Sequence, residues 1–171
     1  MKNLARTSAA AAAVLLALTA AACAPTASTL PGPAAAGFSA GDFAWSAQQG
    51  SNSIEGRIAY RRDGQPFACI GSVGLTPDTP YTRARFQTLY GSTTSAAIPV
   101  AVVRARDVAD PNADYRSYVR SSTCRDNAFS FEGLPDGSWF LIAPVRAGGD
   151  DPIVLMQRVQ TRGGRAVAVT L

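Results

Sequence analysis

The chain has no histidine among its 171 residues. Without histidine, Ser-His-Asp and Cys-His catalysis and the usual zinc sites of proteases are excluded. A mechanism based on a pair of carboxylates remains open. Most acidic residues, however, lie in turn sequences, where aspartate is expected to hydrogen-bond the backbone. Examples are Asp63, Asp78, Asp136, Asp150 and Asp151. The sequence therefore predicts a protein that is not an enzyme and has no cofactor, with a carboxylate-based hydrolase as the less favoured alternative.

One acidic segment matches the first half of a calcium-binding loop. The D-x-N-x-D spacing is supplied by Asp110, Asn112 and Asp114. Tyr115 stands where the required glycine belongs, and Ser121 stands where the bidentate glutamate belongs. A looser site that adds Asp107 is conceivable. The departures favour a solvated acidic loop over a metal site.

An irregular segment combines aromatic and guanidinium groups. The residues concerned are Tyr81, Arg83, Arg85 and Tyr90. This composition is favoured at interfaces and at contacts with sugars. The alternative is a loop packed over the edge of the fold, in which the arginine stems cover apolar surface. The four residues form the candidate binding patch of the sequence.

Residues 1–22 have the pattern of a secretory signal. Lys2 and Arg6 form a short positive region, and residues 9–22 are an uncharged run rich in alanine and leucine. The run ends in LTAAAC at residues 18–23, which resembles a bacterial lipobox although alanine replaces the usual leucine three residues before the cysteine. Cys23 is therefore predicted to be lipidated. The alternative is ordinary signal cleavage that leaves a soluble exported protein.

Residues 23–41 are predicted to be a flexible tether. They are rich in proline, alanine, serine, threonine and glycine and nearly free of charge, so they cannot bury enough apolar surface to offset the entropy of ordering. Ala24 follows the cysteine in place of an aspartate, which by resemblance favours the outer membrane of a Gram-negative envelope. Residues 42–171 are predicted to form a single domain.

The charge of the mature chain argues against nucleic acid as a partner. Without Lys2 and Arg6, 14 of the 16 basic residues remain, against 12 acidic ones. The mature protein is therefore close to neutral, and no basic run is interleaved with aromatic residues.

Cys69 and Cys124 are the two thiols left once Cys23 is assigned to the anchor. In an exported chain two such cysteines favour a disulfide. Two buried free thiols are the alternative, and a metal held by two cysteines without histidine is disfavoured.

The domain shows strand-like patterns separated by turn signals. Residues 127–145 are the most informative, because Phe129 and Phe131 alternate with polar residues, a Gly-Leu-Pro-Asp-Gly turn follows, and an apolar run then resumes. They predict an aromatic-rich hairpin that faces another sheet.

Residues 77–94 are predicted to be an irregular insertion crossing one end of the fold. Further strands are predicted at residues 42–47, 53–61, 67–76, 97–105, 115–124, 153–160 and 165–171, with a hairpin turn at Asp63-Gly64. The fold class is all-β, a sandwich of about seven to nine strands.

The order of these features resembles a carboxypeptidase-regulatory-like domain of the prealbumin-like (transthyretin-like) group. Three parts carry the resemblance: IEGRI, DGQP and VGLTP between residues 54 and 77, DNAFSFEGLPDGSW at residues 126–139, and the final Gly163-Gly164 with Val167, Val169 and Leu171. Asn127 replaces the usual turn glycine, and the gap before residue 126 is longer than usual. The resemblance implies a prealbumin-like β-sandwich whose motif residues are structural, with no catalytic machinery.

Together these observations predict a non-enzymatic, lipid-anchored protein of the bacterial cell envelope that acts as a binding or structural interaction module. Its partner would be another envelope protein or a cell-wall glycan. The alternative is a carbohydrate- or peptidoglycan-binding module with Tyr81, Arg83 and Tyr90 at its site. A carboxylate-based envelope hydrolase is less favoured.

Overall fold

The computed structural model describes residues 37–106, 108 and 114–171. The strands in these ranges are β1 Asn52–Arg57, β2 Arg61–Arg62, β3 Gln65–Pro66, β4 Ala68–Cys69, β5 Ser72–Pro77, β6 Ser95–Pro99, β7 Arg120–Thr123, β8 Ala128–Leu134, β9 Gly137–Arg146, β10 Ile153–Thr161 and β11 Ala166–Thr170. The helices are α1 Ala40–Phe43, α2 Pro80–Tyr90 and α3 Val100–Ala105, with 3-10 helices at Ala44–Ala47 and Tyr115–Tyr118. The fold is an all-β sandwich, as predicted. No helix in the described ranges has the length and apolar character needed to cross a membrane.

The small sheet has three strands in the order β11-β1-β8. Strand β1 lies parallel to β11 and antiparallel to β8. Alternate residues of β1 point to opposite sides, so Ile54 and Gly56 are buried while Glu55 and Arg57 are exposed. The sheet therefore has one face in the core and one in solvent.

The large sheet has the order β6-β10-β9-β5-β7, and β4 also pairs with β9. All its pairs are antiparallel. Strand β9 is covered on both faces: Trp139 and Leu141 belong to the core between the sheets, while Phe140 and Ile142 belong to a second apolar cluster on the opposite face. This double burial explains why its sequence is almost continuously apolar.

Trp139 lies at the centre of the core. Its ring is fully buried and lies 4.8 Å from the ring of Trp45. Its Nε1 donates a hydrogen bond of 3.0 Å to Thr161 Oγ1 on the neighbouring strand. The hydrogen bond offsets the desolvation cost of the indole N–H, so burial of the apolar ring surface contributes to stability.

The predicted hairpin over residues 127–145 is wrong. Strand β8 belongs to the small sheet and β9 to the large sheet, and the two strands do not pair with each other. Pro135 and Asp136 carry the chain from one sheet to the other. The carbonyl of Pro135 accepts a hydrogen bond from Thr161 Oγ1 at 2.7 Å, which fixes this crossing on the large sheet. The crossing lets the aromatic residues of the two strands meet face to face in one core, where a hairpin would set them side by side.

The insertion predicted at residues 77–94 is largely the helix α2. Thr79 Oγ1 accepts from the backbone N–H of Thr82, and Thr82 Oγ1 accepts from the N–H of Thr79, so the two residues form a capping box. Pro80 occupies the first turn, and Gly91, with φ 72°, ends the helix. The helix covers the outer face of the large sheet and does not cross one end of the sandwich.

Three predicted strands are wholly or partly helical. Residues 42–47 form parts of α1 and a 3-10 helix, and residues 115–118 form the other 3-10 helix before β7. Of residues 97–105, only the first three lie in β6. Strand β10 begins at Ile153, which pairs with Pro99, so the chain beyond Pro99 has no strand to pair with and forms α3.

The disulfide between Cys69 and Cys124 is confirmed. It joins β4 to the residue that follows β7, with a Cα–Cα distance of 6.2 Å. The hairpin turn at Asp63-Gly64 is also confirmed. Both residues have positive φ (53° and 78°), as the two-residue turn between β2 and β3 requires.

Candidate functional site

A cleft of about 490 Å³ opens on the outer face of the large sheet, beside α2. Its floor is formed by Gly74 and Thr76 of β5 and by Ile142 and Pro144 of β9. One wall is α2, and the other is the segment that carries the 3-10 helix Tyr115–Tyr118. We call this feature the helix-side cleft. Its volume lies in the usual range of small-molecule sites.

The α2 wall is held by aromatic packing. Phe86 lies 4.9 Å from the ring of Phe140 on the sheet and 5.3 Å from the ring of Tyr90, both in edge-to-face geometry. At the end of the helix, Arg106 donates a hydrogen bond of 2.5 Å to the carbonyl of Leu89. These contacts fix Phe86, Leu89 and Tyr90 along one side of the cleft.

The opposite wall is organised by Tyr115. The guanidinium of Arg85 lies over its ring, 5.2 Å from the centroid, and the ring of Tyr81 lies 5.6 Å away. Arg85 also donates to the carbonyl of Val108 at 3.4 Å. Tyr115 is therefore placed by two residues of α2, and it presents the remainder of its ring to the cleft beside Arg116.

The start of α2 is tied to the large sheet by a buried carboxylate. The Asp78 side chain is fully buried and accepts from Arg83 Nε at 3.0 Å and from Arg158 Nε at 2.5 Å. Arg158 also donates to Ser138 Oγ at 3.1 Å. Because Arg83 is on α2 and Arg158 is on β10, Asp78 couples the helix to the sheet beneath it.

The cleft offers neutral hydroxyls and one cation. Burial raises the pKa of Tyr90 to about 12, and the neighbouring Tyr115 adds to the rise while Arg85 opposes it. Tyr90 is therefore a neutral phenol at physiological pH. Arg116 is exposed at the rim. The described lining residues include no carboxylate, thiol or imidazole, so the polar groups of the cleft are hydroxyls and one guanidinium.

The four residues of the predicted binding patch all lie on α2, but they do not form one surface. Tyr81 and Tyr90 are buried, whereas Arg83 is exposed on its outer side and bound to Asp78. Tyr81 and Arg85 meet at Tyr115. Of the four, Tyr90 lines the helix-side cleft, whereas Tyr81, Arg83 and Arg85 are not among its lining residues.

The remaining predicted site residues fall mostly outside the described residues. Cys23, Asp107, Asp110 and Asn112 are among these. Asp114 is described and exposed, and its backbone carbonyl accepts a hydrogen bond from Ser117 Oγ at 2.8 Å. Within the described ranges, no group of three or more acidic or cysteine side chains is arranged to hold a metal ion.

Sequence reasoning missed most of the cleft. The sequence predicts a strand at Tyr115 and Arg116 and an irregular segment at Phe86 and Leu89. The available signal was the sequence Thr79-Pro80, a helix start with a capping residue followed by proline. With the helix recognised, the one-turn spacing of Phe86 and Leu89 or Tyr90 would have indicated an apolar face.

No protein-family model matches the chain, and no curated protein matches it. Among solved structures, the chain is similar to that of a proposed carbohydrate binding protein from Pseudomonas aeruginosa. The TM-score is 0.52 at 22% sequence identity, and the match covers 78% of this chain and 97% of the other. At this identity the similarity shows a shared fold.

Proposed function

We propose that this protein is a non-enzymatic binding module and that the helix-side cleft binds a saccharide. The observation that carries the proposal is the cleft itself, an apolar groove of about 490 Å³ bordered by tyrosines and an arginine. Its position between a helix and a sheet, on a rigid scaffold, is typical of ligand sites.

A saccharide fits the chemistry of this lining. A sugar ring has an apolar face that can lie against Tyr115 and Ile142, and hydroxyls at its edge that can pair with the exposed hydroxyl of Ser72 and the guanidinium of Arg116. The carbohydrate binding proposed for the structurally similar protein from Pseudomonas aeruginosa supports the same ligand class.

The proposal places the module in the bacterial cell envelope, lipid-anchored to the outer membrane through Cys23. It is supported by the secretory pattern of residues 1–22 and by the lipobox-like sequence that ends at Cys23. The disulfide between Cys69 and Cys124 agrees with export to an oxidising compartment. A cell-wall glycan is the partner that such a location makes available.

We also propose that the domain is a divergent member of the carboxypeptidase-regulatory-like group. The support is the order of its motifs. The glycine of the first motif, Gly56, pairs across strands with the first phenylalanine of the second, Phe129.

The test is binding of the full chain to an array of purified saccharides, including peptidoglycan fragments and neutral oligosaccharides. Gly74→Leu would place a side chain on the cleft floor, and Arg116→Ala would remove the cation at its rim. Both are expected to reduce binding about tenfold, since the first fills space that the ligand would occupy and the second removes a charge-assisted hydrogen bond. Arg104→Ala, an exposed change on α3, is the matched control and should bind as the wild type does.

Failure of every saccharide to bind, or binding that survives Gly74→Leu unchanged, would overturn the assignment of the cleft. In that case retention of another envelope protein would favour the interaction role. A broad hydrolase screen in which activity is lost on Asp114→Ala would overturn the non-enzymatic role. The anchor is tested separately by the intact mass of the protein from its native membrane, where an unmodified chain starting near Ala24 would contradict it.

A further inference from the structure

The outer face of the small sheet carries a second concave surface, about 630 Å³ in volume. Strand register arranges its side chains in two rows. One row contains Thr170, Arg57, Ala128 and Arg125, because Arg57 pairs with Thr170 and Ala128, and Ala128 pairs with Arg125 across a tight turn. The other contains Ala168, Glu55 and Ser130. We call these seven residues the outer platform.

The rows give the platform its shape. Adjacent rows are about 7 Å apart along the strands, and neighbouring strands are about 4.8 Å apart. Alanine, serine and threonine occupy the positions around Arg57 and Glu55, so the long charged side chains rise from a floor of small ones. The resulting space exceeds what a single carboxylate or phosphate ion would fill.

The charges on the platform are not used by the fold. Arg57, Arg125 and Glu55 are exposed, and none of them forms an ion pair within the described part of the chain. Two guanidiniums stand on either side of Ala128, the arrangement that favours bidentate recognition of an anionic group. Glu55 and Ser130, one row away, offer acceptors and a donor suited to hydroxyls.

We propose that the outer platform is a second binding site, for an acidic saccharide whose carboxylate or phosphate is bound by Arg57 and Arg125 and whose hydroxyls pair with Glu55 and Ser130. The site lies on the opposite outer face of the sandwich from the helix-side cleft. The proposal therefore stands or fails independently of the function proposed for that cleft.

The same geometry disfavours a nucleic acid. The outward-facing side chains of the platform include no aromatic ring on which a base could stack. Glu55, two residues from Arg57 on the same strand face, would also repel a polymer with a negative charge at every repeat. A ligand that concentrates its charge at one end and carries hydroxyls at the other avoids this repulsion.

The experiment uses the full-length protein and a fluorescently labelled disaccharide that ends in a single glucuronate, with binding followed by anisotropy. Unlabelled glucose 6-phosphate and neutral cellotriose serve as competitors, so that carboxylate and phosphate recognition are distinguished. Arg57→Gln with Arg125→Gln is expected to weaken binding about tenfold or more. Ala128→Trp, which fills the space between the two arginines without changing charge, should do the same. Arg104→Gln with Arg146→Gln removes two exposed arginines elsewhere and should leave the affinity within about twofold.

Competition by glucose 6-phosphate but not by cellotriose would support the site and assign it to phosphate as well as carboxylate. Equal weakening by the control pair would overturn the proposal, because net charge alone would then account for binding. The proposal would also be overturned if neither acidic probe bound to the protein. A labelled single-stranded oligonucleotide that binds more tightly than either would identify the platform as a nucleic-acid surface and reject the saccharide.

Discussion

The ring of Phe129 lies directly on Gly56, its partner across the antiparallel pair of β8 and β1. A Cβ atom at position 56 would lie 1.9 Å from Cζ of that ring. Both residues are buried on the inner face of the small sheet. The missing side chain of the glycine is therefore the space that the aromatic ring occupies, and the two residues form one packing unit of the core.

Gly56→Ala is accordingly expected to destabilise the domain by about 1–3 kcal/mol, because the ring must move within a packed core. The measurement is the free energy of unfolding in urea. Gly74→Ala is the matched control on β5, since its Cβ would meet its nearest neighbour, Val119 Cγ1, at 3.7 Å. Adding Phe129→Leu to Gly56→Ala should restore part of the loss. An equal effect of the two alanine substitutions would contradict this account.

Asp78→Ala is expected to lower stability by about 2 kcal/mol, because it removes hydrogen bonds to two charged partners. The loss is limited because Arg83 and Arg158, with side chains 51% and 34% exposed, can be solvated instead. Urea unfolding at neutral pH is the measurement. Asp150→Ala, in an exposed turn, should change stability by less than about 0.5 kcal/mol. If the two variants unfold alike, Asp78 does not couple α2 to the sheet.

Most strands were predictable because period-2 alternation and turn residues are local signals, although residues 42–47, 100–105 and 115–118, which were also predicted as strands, are helical. The sheet to which each strand belongs could not be predicted in the same way, as β8 and β9 show. A hairpin and a crossing between two sheets give the same local alternation of apolar and polar residues at Phe129, Phe131 and Trp139. The alternation therefore cannot distinguish the two arrangements. The choice depends on distant partners, since β8 pairs with β1 and β9 with β10 and β5.

The candidate site was less predictable than the fold. Its walls come from α2 and from the segment at Tyr115, which are brought together by the contact of Arg85 with Tyr115 across about 30 residues of sequence. The tyrosine and arginine composition predicts a binding patch within residues 81–90. It did not show that Tyr81 and Tyr90 point inward, because that depends on the helix, which was not recognised.

Reduction of the disulfide is expected to destabilise the domain by about 4 kcal/mol on the chain-entropy model, since Cys69 and Cys124 are separated by 55 residues. The measurement is thermal or urea unfolding with and without reductant. The variant with both cysteines changed to serine should be as unstable as the reduced protein and should not respond to reductant. Identical unfolding of the oxidised and reduced wild type would rule out a stabilising role.

Asp136 should make stability depend on pH in the acid range. Hydrogen bonds from Asn52 and from the N–H of Gly163, together with the charge of Arg162, hold the pKa of its carboxyl below the ordinary value of 3.8. The folded state therefore favours the ionised form. This stabilisation is complete above the unfolded value of 3.8 and is lost as the pH falls through the lower folded value.

Unfolding midpoints of the wild type and of Asp136→Asn, measured over a series of acid pH values, test this dependence. The difference between them should be constant near neutral pH and should shrink below about pH 4. Asp151→Asn, an exposed change of the same charge, is the control and should show no comparable pH dependence relative to the wild type. A difference that grows on acidification has the opposite sign and would exclude the hydrogen-bonded carboxylate.

Tyr90 makes the corresponding prediction at alkaline pH, and it reports on the wall of the helix-side cleft. Burial raises its pKa from 10.0 to about 12, so the folded protein holds the phenolic proton more tightly than the unfolded chain does. The resulting stabilisation is complete below pH 10 and is lost as the pH rises through 12.

Titration of phenolate absorbance should show a late step that Tyr90→Phe removes and that Tyr118→Phe retains. Between these pH values the wild type should also lose stability relative to Tyr90→Phe. Complete ionisation of the tyrosines of the folded wild type before pH 11 would mean that the Tyr90 hydroxyl is solvated and that the cleft wall is more open than the packing of Phe86 and Tyr90 implies.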